Sequence, residues 1–182
     1  MSTYHHGNLR AALLRAAGKR LEKQGIGTLS LREAARRAGV SHNAPYRHFT
    51  QREALLAALA AEGFEILGKE MRGQSGRRMG EAYVRFALRH PQRFRLMFGG
   101  QIALEKYPQL RAAASSAFDQ LQAAFSGYAV EPRVAAAAAW SLVHGLSHLI
   151  LDGHFAQRQA DDEFVRQVLG AVRFAVGPQR SA

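Results

Sequence analysis

The chain contains no cysteine. That excludes disulfides, thiolate nucleophiles and thiolate metal ligands, and it suits a reducing compartment such as the cytoplasm. Only five prolines interrupt 182 residues, and alanine and leucine dominate a hydrophobic fraction of 47%. An all-α fold is therefore expected. No run of 18 or more apolar residues occurs, and the N-terminus has no apolar signal segment. Neither a membrane span nor export is expected, and a cytoplasmic location is. A glycine-framed serine and a phosphate-cradling glycine loop are also missing, so the enzyme reading, a small helical hydrolase with an incidental basic domain, has little to stand on. No cofactor is implied.

Acidic residues are scarce too. Fourteen Asp and Glu face 25 Lys and Arg, a formal net charge of +11. The excess is uneven. Residues 1–60 hold 10 basic against 3 acidic side chains, and residues 61–182 hold 15 against 11. A basic patch of this kind draws phosphates and releases counterions. The length allows one good core or two small helical domains.

What is present is concentrated in residues 28–55. Ser30 is placed to cap a helix over 31–38, with Glu33 completing a capping box. Leu31, Ala34, Ala35 and Ala38 give that helix an apolar face. Gly39 sits where a positive φ ends a helix cheaply. Ser41 is read as the cap of a second helix over 42–48, whose exposed residues are His42, Asn43, Tyr46, Arg47 and His48. Thr50 and Glu53 offer a further box for a helix over 51–71. Small-residue helix, glycine turn and donor-rich helix make a helix-turn-helix, the geometry that lays its second helix in a DNA major groove. Asn43 suits a base edge, and Arg47 or His42 suits guanine or phosphate. Ser30 and Ser41 cap helices that would point backbone N–H groups at phosphates.

A first helix is expected over about 8–24, capped by Asn8, with Leu9, Leu13, Ala16, Ala17 and Leu21 inward. The preceding Tyr4-His5-His6 is read as an idle terminus rather than a groove-binding arm. The glycine-rich, charged stretch 72–78 is read as a boundary. Domains of 1–71 (core about 7–67, helix-turn-helix about 30–49) and 79–182 follow. In the second, Tyr83, Phe86, Ala87, His90, Phe94, Met97 and Phe98 keep one helical phase through Pro91. Leu110 to Tyr128 define another helix. Helices over about 132–152 and 161–176 close the chain. In the first of these, Ala135, Ala138, Ala139, Leu142, Gly145, Leu146 and Leu149 share one face, with Trp140, His144 and His148 opposite. His144, His148 and Asp152 have metal-compatible spacing, but no third strong ligand is identifiable, so no metal is expected.

The helix-turn-helix segment resembles the DNA-binding domain of the TetR family of transcriptional regulators. The matching residues are Leu29-Ser30-Leu31-Arg32, Ala35, Ala38-Gly39-Val40-Ser41, Tyr46, His48-Phe49, Arg52-Glu53 and Leu55, with Leu13, Ala16, Ala17, Leu21 and Gly25 upstream. Residues 82–98 and the Trp140-to-Gly145 segment are similar to a TetR subgroup with a WxxxHG motif. Pro45 departs from the pattern by removing a backbone donor within the recognition helix. Gln51 departs by replacing a small acidic or amide residue. The resemblance implies an N-terminal three-helix DNA-binding domain and a C-terminal helical domain for effector binding and dimerisation. It implies that Tyr46, His48 and Arg52 hold the DNA backbone. It also implies a small-molecule site, for which Phe94, Met97, Phe98, Phe118, Phe125, Trp140 and His144 are the candidates. A homodimer through the last two helices is implied as well. The expected function is a ligand-responsive repressor on a palindromic operator in double-stranded DNA. A non-specific architectural DNA-binding protein is the alternative.

Overall fold

The computed structural model describes residues 9–74, 76–128, 130–155 and 161–172. These form eight α-helices: α1 (Leu9–Gln24), α2 (Leu31–Ala38), α3 (Arg52–Met71), α4 (Gly76–Arg89), α5 (Pro91–Phe98), α6 (Pro108–Ala123), α7 (Pro132–Leu151) and α8 (Asp162–Ala171). Three 3₁₀ turns lie at Ile26–Thr28, Ala44–Arg47 and Leu104–Lys106. The fold is all-α, with no strand among the described residues. The expected cap Asn8, the Tyr4-His5-His6 segment and the last turn through Ala175 and Val176 lie outside the described residues.

The chain forms two compact units that interleave in sequence. One is Met1–Phe64 with His90–Ala113, and the other is Glu65–Arg89 with Ala114–Ala182.

In the first unit α1 packs on α2 and α5. The helical spacing of Leu13, Ala17 and Leu21 buries them with Ala35, Phe49, Leu55 and Leu59. Each fully buried leucine contributes about 1.5–3 kcal/mol over an exposed one. A cation sits within this packing. Arg93 of α5 is buried, and its Nη1 donates to the Leu59 carbonyl at 2.9 Å. Its guanidinium lies 3.6 Å from Glu22 and 3.5 Å from Glu62. Three helices thus meet on one guanidinium, which is tolerated in the interior because it is paired and hydrogen-bonded.

In the second unit α4 packs against α7 and α8. Gly80 permits the approach: a Cβ there would lie 3.2 Å from both Val143 and Leu169 side-chain atoms. Phe125, Ala135, Ala136 and Ala139 form a core cluster with Phe118, Leu121 and Tyr128 against it. The helix read through Tyr128 stops earlier, at Ala123. Turns follow, and Gly127 takes a φ of 91°.

Both closing helices start on carboxylate caps. Glu131 accepts the N–H groups of Arg133 and Val134, and Asp161 accepts that of Phe164. α7 is long and apolar enough to cross a membrane by length and composition, yet it packs on α4. Its apolar residues face two ways. Ala135, Ala139 and Leu146 point inward, while Ala138, Gly145 and Leu149, read as sharing their face, are exposed together with Val134, Ala137 and Ser141. The helix places its buried stripe on Ala135, Ala136, Ala139, Val143, Leu146 and Ser147. The single face expected from the sequence is therefore split between a buried side and an exposed side of the helix.

Candidate nucleic-acid interface and effector cavity

Ser30 caps α2, accepting the Glu33 N–H at 3.1 Å. Gly39 ends the helix at φ 70°. The Val40 N–H reaches back to the Ala35 carbonyl and the Gly39 N–H to that of Arg36, the paired bonds of a Schellman cap. The chain then turns into the recognition segment, which is shorter than the helix over 42–48 expected from the sequence. The Ser41 carbonyl accepts the Ala44 N–H, and Ala44–Arg47 form one 3₁₀ turn. Pro45 explains this. It falls at the start of that turn, where a missing N–H leaves no partner unsatisfied. Its ring is fully buried, as is nearly all of Phe49. These two anchors turn the remaining side chains outward: Ser41, His42, Asn43, Tyr46, Arg47 and His48 are all exposed. Tyr46, a large ring, keeps 48% of its surface in solvent.

A charged frame holds this segment. Arg52 donates Nε to the Leu29 carbonyl at 2.7 Å and Nη2 to that of Ile26 at 2.6 Å. Arg10 lies over the Phe49 ring at 5.5 Å. Glu33 does not close the expected capping box. Three guanidiniums take its carboxylate instead: Arg36 at 2.7 Å, Arg37 at 2.8 Å and Arg20 of α1 at 2.9 Å. Charge-assisted bonds outcompete a single backbone N–H. The Arg36 and Arg37 hydrogen bonds hold the Glu33 carboxyl at about 2, well below the usual range.

The second unit contains a cavity of about 240 Å³. Its walls come from Met79 and Tyr83 of α4, Phe125 and Tyr128 beyond α6, Val143 of α7 and Leu169 of α8, with Arg77 at the start of α4. Tyr83 links this wall to α7. Its hydroxyl accepts the Trp140 Nε1–H at 3.0 Å and lies 2.8 Å from His144 Nδ1. Burial pushes the Tyr83 phenol well above its ordinary pKa. Burial, then the charge of His148, pushes His144 below its own. A neutral His144 accepting at Nδ1 gives a consistent relay, Trp140 to Tyr83 to His144. Phe118, Trp140, His144 and His148 continue as a ladder of ring contacts 4.7–6.0 Å apart.

Two family models match the chain. A tetracyclin repressor-like C-terminal domain matches residues 77–172, more than half of the length. The model for bacterial regulatory proteins of the tetR family matches residues 13–59. The chain belongs to the TetR family. A Rhodococcus sp. RHA1 protein of unknown function shares 35% identity with this TetR protein, covers 94% of each chain and superposes with a TM-score of 0.75. AibR in complex with isovaleryl coenzyme A and operator DNA shares its fold at 18% identity, with a TM-score of 0.65 over 90% of this chain and 97% of that one. NalD, the secondary repressor of the MexAB-OprM multidrug efflux pump of Pseudomonas aeruginosa, does so at 20% identity and 0.61 over 92% and 97%. No curated protein sequence matches the chain. As a member of this family it is a DNA-binding transcriptional regulator.

Within the TetR chain the residues expected to touch DNA come together. The recognition segment presents Ser41, His42, Asn43, Tyr46, Arg47 and His48, while Ser30 is partly buried as the cap and Arg52 is exposed. The residues expected around an effector are divided between the two units. Phe94, Met97 and Phe98 belong to the first unit, where Phe98 packs edge-on to Phe64 at 5.3 Å. Phe118, Trp140 and His144 lie in the ring ladder, and Phe125 alone lines the cavity. His144 Nδ1 faces Tyr83, and His148 lies 4.0 Å from Asp152. Among the described residues no three such side chains converge as metal ligands. Sequence reasoning missed Arg77, Met79 and Tyr128. Met79, Gly80 and Tyr83 have helical spacing, a signal that was there to find. Gly76 and Arg77 were masked by their resemblance to a linker.

Proposed function

We propose that this TetR-family chain is a ligand-responsive repressor that binds a palindromic operator as a homodimer. The observation that carries the reading is the outward set on the recognition segment. Asn43, His42 and Arg47 supply base-reading chemistry, and Tyr46, His48 and Arg52 supply backbone contacts. The uncharged, exposed stripe of α7, with α8 beside it in sequence, is the surface for a second copy, because apolar faces of this kind are covered by a partner. A two-fold dimer imposes inverted half-sites on its operator.

The cavity in the second unit is the effector site of this reading. A relative of the same fold holds both isovaleryl coenzyme A and operator DNA, which supports one chain serving both ligands. Release from DNA requires that the effector bind one conformation better than the other; equal affinity shifts nothing. Selection from a random double-stranded DNA library tests the proposal. An inverted repeat bound by two chains is expected. An asymmetric site bound by one chain would overturn the dimer, and equal retention of all sequences would leave only an architectural role.

A further inference from the structure

We propose that the cavity between α4, α7 and α8 takes an apolar monocarboxylate of about ten non-hydrogen atoms, seated with its carboxylate at Arg77. This rests on the reading of that cavity as the effector site.

Size comes first. An apolar cavity of about 150 Å³ holds benzene, a molecule of about six heavy atoms. By proportion, 240 Å³ suits on the order of ten. The wall chemistry comes second. Met79, Phe125, Val143 and Leu169 offer hydrocarbon and no charge, so the body of the ligand is apolar.

The rim supplies the polarity, and it has one sign. Among the described residues Arg77 is the only charged one lining the cavity, and no carboxylate among them lines it. Arg77 stands in the first turn of α4, whose opening residue Gly76 also borders the space. The first N–H groups of a helix lack intrahelical partners and carry the positive end of its dipole. The first turn of α4 contains no acidic residue. Guanidinium and helix end therefore favour an anion at the same mouth.

The present partner of Arg77 does not block this. Arg77 Nε lies 3.3 Å from Glu81, but Glu81 also holds Arg85 at 3.3 Å, and Arg85 in turn meets Asp162 at 3.5 Å. Glu81 keeps a cation when Arg77 turns to a ligand. The Arg77 side chain is 58% exposed, so it has room to turn.

The test is calorimetric titration of the whole protein with three eight-carbon probes: octanoate, 1-octanol and octylammonium. Trp140 fluorescence follows in parallel, since Trp140 is the only tryptophan and is bonded to the cavity residue Tyr83. Octanoate is expected to bind about tenfold or more tighter than octanol, with octylammonium weakest. Arg77→Gln is expected to weaken octanoate about tenfold or more and octanol far less, erasing that preference. Ala124→Phe, which adds a ring at a residue lining the cavity, is expected to weaken octanoate and octanol alike, with folding checked by thermal melting. Octanol binding as well as octanoate in the wild type would overturn the anion and leave the effector cavity intact, provided Ala124→Phe abolishes it. No binding of any probe would overturn the proposal and the cavity reading together.

Discussion

The guanidinium of Arg93 fills the space that a side chain at residue 18 would need. A Cβ on Gly18 would lie 2.8 Å from Arg93 Nη2. Ordinarily a mid-helix glycine costs about 1 kcal/mol against alanine, so its presence in α1 calls for a reason, and the buried cation is that reason.

Gly18→Ala is accordingly expected to destabilise the protein by about 1–3 kcal/mol despite the better helix former, because a displaced Arg93 loses partners in a buried site. In an Arg93→Met background the same change is expected to stabilise by about 1 kcal/mol. Denaturant unfolding of the four proteins of this cycle decides it. Additive effects would mean the two residues do not compete for space.

Glu33 makes stability depend on acid. Its carboxyl titrates at about 2 in the folded chain against an ordinary 4.5. The unfolded chain takes up the proton first, so the contribution is complete above the ordinary value and is lost as pH falls toward the folded one. The difference in stability between wild type and Glu33→Gln should shrink steadily over that window. A difference independent of pH there would show that the carboxylate charge is not what joins α1 to α2.

On the DNA side, Asn43→Ala is expected to change which sequence is preferred, and Tyr46→Phe to weaken all sequences similarly. Arg52 has a double duty to test. Its Nε and Nη2 hold the carbonyls of Leu29 and Ile26, and neither bond uses Nη1. Arg52→Ala should lower thermal stability and also reduce the magnitude of the salt slope by about 1. A melting change with an unaltered salt slope would make Arg52 a frame residue only.

The exposed stripe of α7 gives the oligomer test. Ala138→Arg places a charge on it without touching the buried stripe. Sedimentation should show monomers where the wild type gives dimers, with helical content retained and operator affinity greatly reduced. A dimer that tolerates this arginine uses another surface.

Much of this was legible in the sequence because the deciding signals are local. Ser30, Gly39 and the alanine spacing of α2 fix a cap, a stop and a buried face within a dozen residues. Pro45 was read as a defect in a helix because its effect depends on where the turn begins, which spacing alone does not reveal. The cavity was harder. Aromatic residues of one helical phase, Tyr83 and Phe94 among them, were assigned to one domain. Yet the break at Pro91 sends α5 into the first unit. Phase says which side of a helix is apolar, not which core receives it. The exposed and buried stripes of α7 were merged for a related reason: alanine and glycine are equally at home under a neighbour or awaiting one.

The single 3₁₀ turn at Ala44–Arg47 has a consequence for how much the protein can know about its target. On the proposed reading, the short exposed set between Ser41 and His48, anchored by the buried Pro45 and Phe49, would read only a handful of base pairs, an address far too short to be unique in a genome. In the proposed dimer, discrimination would come from multiplication, with two copies reading the same short word in opposite directions at a fixed spacing. Pairing on this account is not an accessory to recognition. It is the means by which a one-turn reader acquires enough information to regulate one place and ignore the rest.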